Sequence, residues 1–239
     1  MLTHTGHPPD VSESAPKFSP AVELDQLQAS CLDFLSRNMQ GDPAHDISHV
    51  QRVVQNTLQL TEAENGNLAV TLPAAWLHDC ISVAKDSTQR KHASKLAAQE
   101  AVRFLATLQY PPALLPEIYH AIEAHSFSAN IETGSLEARI VQDADRLEAL
   151  GAIGIARCFL TGGSMGTALY DPADPFAKSR EPDDRRFTVD HFYCKLLGLV
   201  DTMKTAAGKA EALRRTEYMR GFLEQLGGEI GRAGSKKSE

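Results

Sequence analysis

Apolar residues recur along most of this chain at three- and four-residue spacing, the period of an amphipathic helix. Val22, Leu24, Leu27, Leu32, Phe34 and Leu35 mark a first helix over residues 21–40. Gly41-Asp42-Pro43 breaks it, and either Asp42 or Asp46 is placed to cap a second. That second helix carries Ile47, Val50, Val54 and Leu58 on one stripe, with His49 and Val53 at its edge. After Asn65-Gly66-Asn67 the pattern changes. Leu68, Val70, Leu72, Ala74, Ala75, Trp76 and Leu77 leave hardly any polar face, and a helix apolar all round is a buried one. Three amphipathic helices follow. One covers 92–108, one opens at Tyr110-Pro111-Pro112 and carries Ile118, Ile122 and His125 on its stripe, and one starts at a Ser135 cap and carries Ile140, Val141, Ala144, Leu147 and Gly151.

The run from Gly151 to Ala156 suggests helices packed closely through small residues, and 161–166 reads as a flexible glycine-rich loop. Residues 170–186, dense in Asp, Pro and Arg, predict an ordered irregular excursion or lid. Asp190-His191-Phe192 opens a helix reaching Met203, and a last helix covers about 205–226. No period-two run bounded by turn signals appears. The expected fold is therefore all-α: a single-domain helical bundle over residues 21–230 with its site in the core. A Pro/Ser/Thr-rich arm at 1–20 and a Gly/Lys/Ser-rich tail at 231–239 are expected to be disordered.

Composition narrows the setting. The chain is 42% hydrophobic and 23% charged, which is that of a soluble globular protein. Its net charge of −7 disfavours a surface that coats a nucleic-acid polymer, but leaves a small anionic substrate open. No apolar run is long enough to span a membrane. Cys31, Cys80, Cys158 and Cys194 are scattered without a CxxC pair, which argues against a zinc ribbon or disulfide framework and fits a reducing cytoplasm. Monomer and homodimer are both open.

The chemistry concentrates where the all-apolar segment ends. His78 and Asp79 stand side by side between Leu77 and Cys80-Ile81. Burying an ionised carboxylate costs several kcal/mol or more without a compensating partner. A divalent metal, bound by imidazole nitrogen and carboxylate oxygen, compensates it and explains the pairing. Further ligands are expected on buried helical faces. His49 points into a helix–helix seam, and His45 lies one turn earlier. In Asp143-Ala144-Asp145-Arg146 the two aspartates flank opposite sides of the apolar face, and periodicity does not choose between them. The polar connection at 82–91 leaves directly from the His-Asp pair, so Lys85, Arg90 and Lys91 are candidate phosphate contacts.

A His, then His-Asp, then a distant Asp, each in its motif, resembles the HD superfamily of metal-dependent phosphohydrolases. The likeness runs from about residue 23 to about 230 and includes Ala121–Ser126, the run from Gln142 to Arg157, Asp174-Pro175-Phe176 and Asp190-His191-Phe192. It implies metal ligation by His49, His78, Asp79 and Asp145, with His125 lining the site or serving a second metal. It also implies hydrolysis of a phosphate ester or anhydride, with a nucleotide as the expected substrate. Mixed imidazole and carboxylate ligation without thiolate suits Mn²⁺, Mg²⁺, Fe²⁺ or Co²⁺. Asp79, Glu148 and Asp143 are the catalytic candidates, the last two as acceptors of the water's proton. Arg146 joins the candidate substrate contacts. Two other classes use the same scaffold: an HD-type di-iron oxygenase and a non-catalytic ligand-binding module.

Overall fold

In the computed structural model, which describes residues 20–38, 46–81, 92–126 and 129–232, the helical pattern becomes nine α-helices among those residues. They are α1 (Pro20–Asn38), α2 (Ile47–Glu64), α3 (Leu68–Leu77), α4 (Ala93–Thr107), α5 (Leu115–His125), α6 (Leu136–Arg146), α7 (Gly151–Met165), α8 (Asp190–Cys194) and α9 (Ala206–Arg232). No strand occurs among the described residues; Ala168 and Phe187 form an isolated parallel bridge. Asp42, His45, Lys85, Arg90 and Lys91 lie outside the described residues, as do the arm up to residue 19 and the tail from 233.

Short polar residues fix three of the helix starts. Asp46, not Asp42, caps α2, its carboxylate accepting from the His49 N–H at 2.8 Å. Asn67 caps α3 and Ser135 caps α6 in the same way. The almost wholly apolar α3 is the hub, packed by α1, α2, α4, α5 and α6, and residues 70–77 are all buried, Thr71 sharing its hydroxyl with that of Thr61 at 2.8 Å. Pro73 lies inside it. A proline has no N–H for the carbonyl four residues back. Here that carbonyl, on Ala69, accepts instead from the Tyr110 hydroxyl at 2.7 Å.

The C-terminal third departs from the sequence reading at three places. Residues 161–165 continue α7 rather than forming a loop, and the helix ends at Gly166 with φ +70. Gly162 serves close packing: a Cβ there would stand 2.3 Å from Thr188 Oγ1, whereas one at Gly163 would meet nothing within 4 Å. The helix expected from 190 to 203 is divided at Lys195 (φ −143, ψ −57) into α8 and a 3-10 segment, Leu196–Thr202. And α9 runs beyond 226 to Arg232, into residues expected in the tail, because Leu223, Leu226 and Ile230 continue its apolar stripe.

The excursion between α7 and α8 is ordered by ion pairs. Arg180 donates to both oxygens of the buried Asp190 and stacks over the Phe187 ring at 4.8 Å. Arg215 of α9 reaches across the bundle. It donates to the Leu147 carbonyl at 2.7 Å and to Asn56 Oδ1 at 2.9 Å, while Asn56 donates to the Ala144 carbonyl. The end of α6 is thereby tied to α2 and α9 together.

Candidate metal centre

Four helix termini converge on one point. His49 is in the first turn of α2, His78 caps the C-terminus of α3, Asp79 follows in the next turn, and His125 ends α5. Asp145 comes from the last turn of α6. The His-Asp pair thus stands just past its helix, where the chain turns and Cys80 N–H closes back on the Leu77 carbonyl at 3.2 Å.

His49 Nε2 lies 3.9 Å from Asp79 Oδ2 and 3.5 Å from Asp145 Oδ1. His78 Nε2 lies 3.6 Å and 3.9 Å from the same two oxygens. These separations exceed the 2.7–3.2 Å of an N–H···O bond. Two donors bonded to one ion at about 2.0–2.2 Å stand about 3–4 Å apart, which is the spacing found. His78 Nε2 is buried with no hydrogen-bond partner. The ligand atoms of His49, His78 and Asp79 all fall within 4.8 Å of one another; Asp145 is outside that trio but faces both of its imidazoles. The donor set therefore fits a divalent cation.

The floor is imidazole and the rim is carboxylate. The side chains of His49, His78 and His125 are 2%, 0% and 6% exposed, against 27% for Asp79 and 29% for Asp145. The cluster is therefore open to solvent on its carboxylate side. Burial holds the His78 imidazole below its ordinary pKa against the opposing charge of Asp79, so its lone pair is available. Burial alone would raise Asp145, but the charges of His78, His49 and His125 more than offset it and hold the carboxyl low. His125 Nε2 stands 3.5 Å from Asp79 Oδ1, the oxygen that does not face the other two rings. Burial lowers His125, and the hydrogen bond and charge of Asp79 reverse that to a net rise.

The structure separates the remaining candidates. Asp143 does not reach the cluster. It is fully buried on another side of α6, where its carboxylate accepts from Lys204 N–H, Thr205 N–H and the Thr205 hydroxyl at 2.8–3.0 Å. Its geometry is that of an anchor for the start of α9, not of a group facing a reacting water. Glu148 is close to the centre but behind it, with Oε2 3.4 Å from Nδ1 of His49, on the ring edge opposite Nε2. Arg146 follows Asp145 but turns to the Thr202 carbonyl. It lines a cleft of about 620 Å³ with Arg139, Gln142 and Lys204. Sequence reasoning missed the pairing of Arg52 with Glu148. The available signal was positional: each lies three residues, one helical turn, beyond a metal-ligand candidate.

Residues 46–150 match the HD domain family. The uncharacterized protein YpgQ of Bacillus subtilis is 33% identical over 186 residues, which is 76% of this chain and 82% of YpgQ. The chain belongs to the HD-domain superfamily. An HD-superfamily hydrolase from Bacillus thuringiensis shares 34% identity at a TM-score of 0.68, over 89% of this chain and 99% of that one. The crystal structure of B. subtilis YpgQ in complex with ADP shares 31% identity at a TM-score of 0.67, over 87% of this chain and 95% of that one. HD domains bind divalent metals, and His49, His78 and Asp79 could hold one here. Among the described residues, no helix of this HD protein is long and apolar enough to cross a membrane.

Proposed function

We propose that this HD protein is a metal-dependent phosphohydrolase that cleaves a phosphate ester or anhydride of a small molecule, with a nucleotide as the substrate class. The observation that carries the reading is the convergence of His49, His78, Asp79 and Asp145 at separations of 3.5–3.9 Å, which are those of ligands sharing an ion. A divalent ion, Mn²⁺, Mg²⁺, Fe²⁺ or Co²⁺, supplies a Lewis acid for a phosphoryl oxygen and acidifies water. His49 and His78 keep water from the floor of the site and present Nε2. Asp79 divides its carboxylate, one oxygen toward that pair and one toward His125. His125, held by the Ile122 carbonyl through Nδ1, lines the floor beside Asp79 and is suited to contact a phosphate oxygen that reaches it. Arg146, next to Asp145 in the chain, is a candidate cation for the rest of an anionic substrate, although the cleft it lines with Arg139 and Lys204 also carries Glu132 and Asp201; Lys85, Arg90 and Lys91 keep that role from their position in the sequence.

The ADP complex of YpgQ supports a phosphorylated ligand over other classes. The four cysteines, free in the structure, fit a reducing cytoplasm. The test is phosphate or pyrophosphate release from a panel of nucleotides and sugar phosphates, with each of the four metals. Turnover with one metal–nucleotide combination, lost together with bound metal in His78→Ala and Asp79→Ala, supports the reading. No release with any combination, or full metal content in both variants, refutes it. Oxygen-dependent turnover with iron selects the oxygenase instead.

A further inference from the structure

We propose that Glu148 is a positioning residue, an anion that sets His49 for metal binding from behind the ring. Glu148 is 1% exposed and lies one turn past Asp145, in the 3-10 turn Leu147–Ala149 that follows α6. Its Oε2 faces Nδ1 of His49, while Nε2 of the same ring faces Asp79 and Asp145. Both ring nitrogens of a neutral imidazole cannot be acceptors, and a carboxylate only accepts. Nε2 faces its two carboxylates at ligand spacing, so with a divalent ion held between them the lone pair belongs on Nε2 and the proton on Nδ1, toward Glu148.

The other two imidazoles reach the same tautomer differently. His78 Nδ1 donates to the Ala75 carbonyl at 2.8 Å, and His125 Nδ1 donates to the Ile122 carbonyl at 2.6 Å. Both partners are neutral and belong to the histidine's own helix. His49 alone of the three has a carboxylate behind it, brought from 99 residues away. A carboxylate behind an imidazole raises the basicity of its far nitrogen and fixes ring orientation. The anion is itself held. Arg52 Nε donates to Glu148 Oε2 at 2.7 Å, Arg52 also donates to Ser48 Oγ, and Arg157 donates to the Glu148 carbonyl while its guanidinium stands 4.0 Å from Oε2.

This arrangement gives Glu148 no direct chemistry. A residue 1% exposed, behind a ligand ring, meets neither substrate nor attacking water. It acts through His49. The inference rests on His49 being a ligand, as in the proposed function, and the two are tested apart.

The tautomer is read on wild-type protein saturated with Mg²⁺, which is diamagnetic, by long-range ¹H–¹⁵N correlation of the histidine rings. Nδ1–H at His49 is expected. Metal affinity is read by calorimetric titration with Mn²⁺. Glu148→Ala should weaken it about 10- to 100-fold. Glu148→Gln, which keeps an acceptor but no charge, should weaken it less, with an unchanged circular dichroism spectrum. An Nε2–H tautomer at wild-type His49, or affinity within about twofold of wild type in folded Glu148→Ala, overturns the proposal. If Glu148→Ala does not fold, the wild-type tautomer and Glu148→Gln decide. Retention of full metal affinity by His49→Ala would instead overturn the ligand assignment.

Discussion

Asp143 and Asp145 are two residues apart and both acidic, and exchanging either for alanine should have opposite signatures. Asp145→Ala removes a carboxylate oxygen facing two imidazoles and should release metal. Asp143→Ala should leave metal affinity within about twofold and lower stability. The size follows from the groups left behind. Asp143 accepts from two backbone N–H groups and one hydroxyl. Each buried donor left unsatisfied costs about 1–3 kcal/mol. Lys204 is exposed, so its N–H can turn to water, and the Thr205 hydroxyl can rotate, whereas the buried Thr205 N–H is left stranded. Burial also raises the Asp143 carboxyl above its ordinary pKa despite these bonds, so removing the charge recovers part of the loss. The net is about 1–2 kcal/mol, or roughly 2–8 °C in melting temperature for a chain of this length. Elemental analysis and a melting curve on both variants decide it. Loss of metal at unchanged stability in Asp143→Ala would mean that the α6 register, and the site built on it, is wrong.

Acid should weaken the fold through Glu211. Hydrogen bonds from Arg214, with those from Arg215, outweigh burial and bring its carboxyl down to about 2 from 4.5. A depressed carboxyl contributes stability that is complete above the unfolded value and lost as pH falls toward the folded one. Glu211→Gln should therefore lie below wild type near neutrality and converge with it between pH 4.5 and 2, which equilibrium urea unfolding at several pH values checks; parallel curves would refute it. Adjacent glycines in α7 should respond with opposite sign. Gly162→Ala places a Cβ 2.3 Å from Thr188 Oγ1 and should cost about 1–3 kcal/mol, while Gly163→Ala meets nothing within 4 Å and should stabilise by about 0.5–1 kcal/mol. Melting temperatures of the pair check this, and a stable Gly162→Ala would sink the packing argument.

Much of the fold was legible because helical periodicity is local. The stripes of α2, α5 and α6 were read from residues within a few turns, and so were the Ser135 cap and the buried character of α3. The convergence of His78-Asp79 with other ligand-type side chains was legible for the same reason, although Asp79 stands just past the apolar helix with its side chain 27% exposed. What sequence could not reach was long-range. Asp143 stayed a catalytic candidate because its donors are 61 and 62 residues ahead, and Glu148 because its place behind His49 depends on a contact across 99 residues. The glycines of 161–166 suggested a loop because their low helix propensity is visible in sequence, whereas the Thr188 side chain that needs the space is not.

The tie that Arg215 makes between α9 and the end of α6 bears on where this protein can be cut. The segment matching the HD domain family, 46–150, contains every proposed ligand, and would be the natural fragment to express by itself. Yet the stretch bearing Asp145 is fastened from beyond that segment, by Arg215 at the Leu147 carbonyl, by the Thr202 carbonyl at Arg146, and by Lys204 and Thr205 at Asp143. A shortened chain would keep the ligands and lose the fastenings, so the unit that evolution can shuffle as a metal-binding module extends into α9.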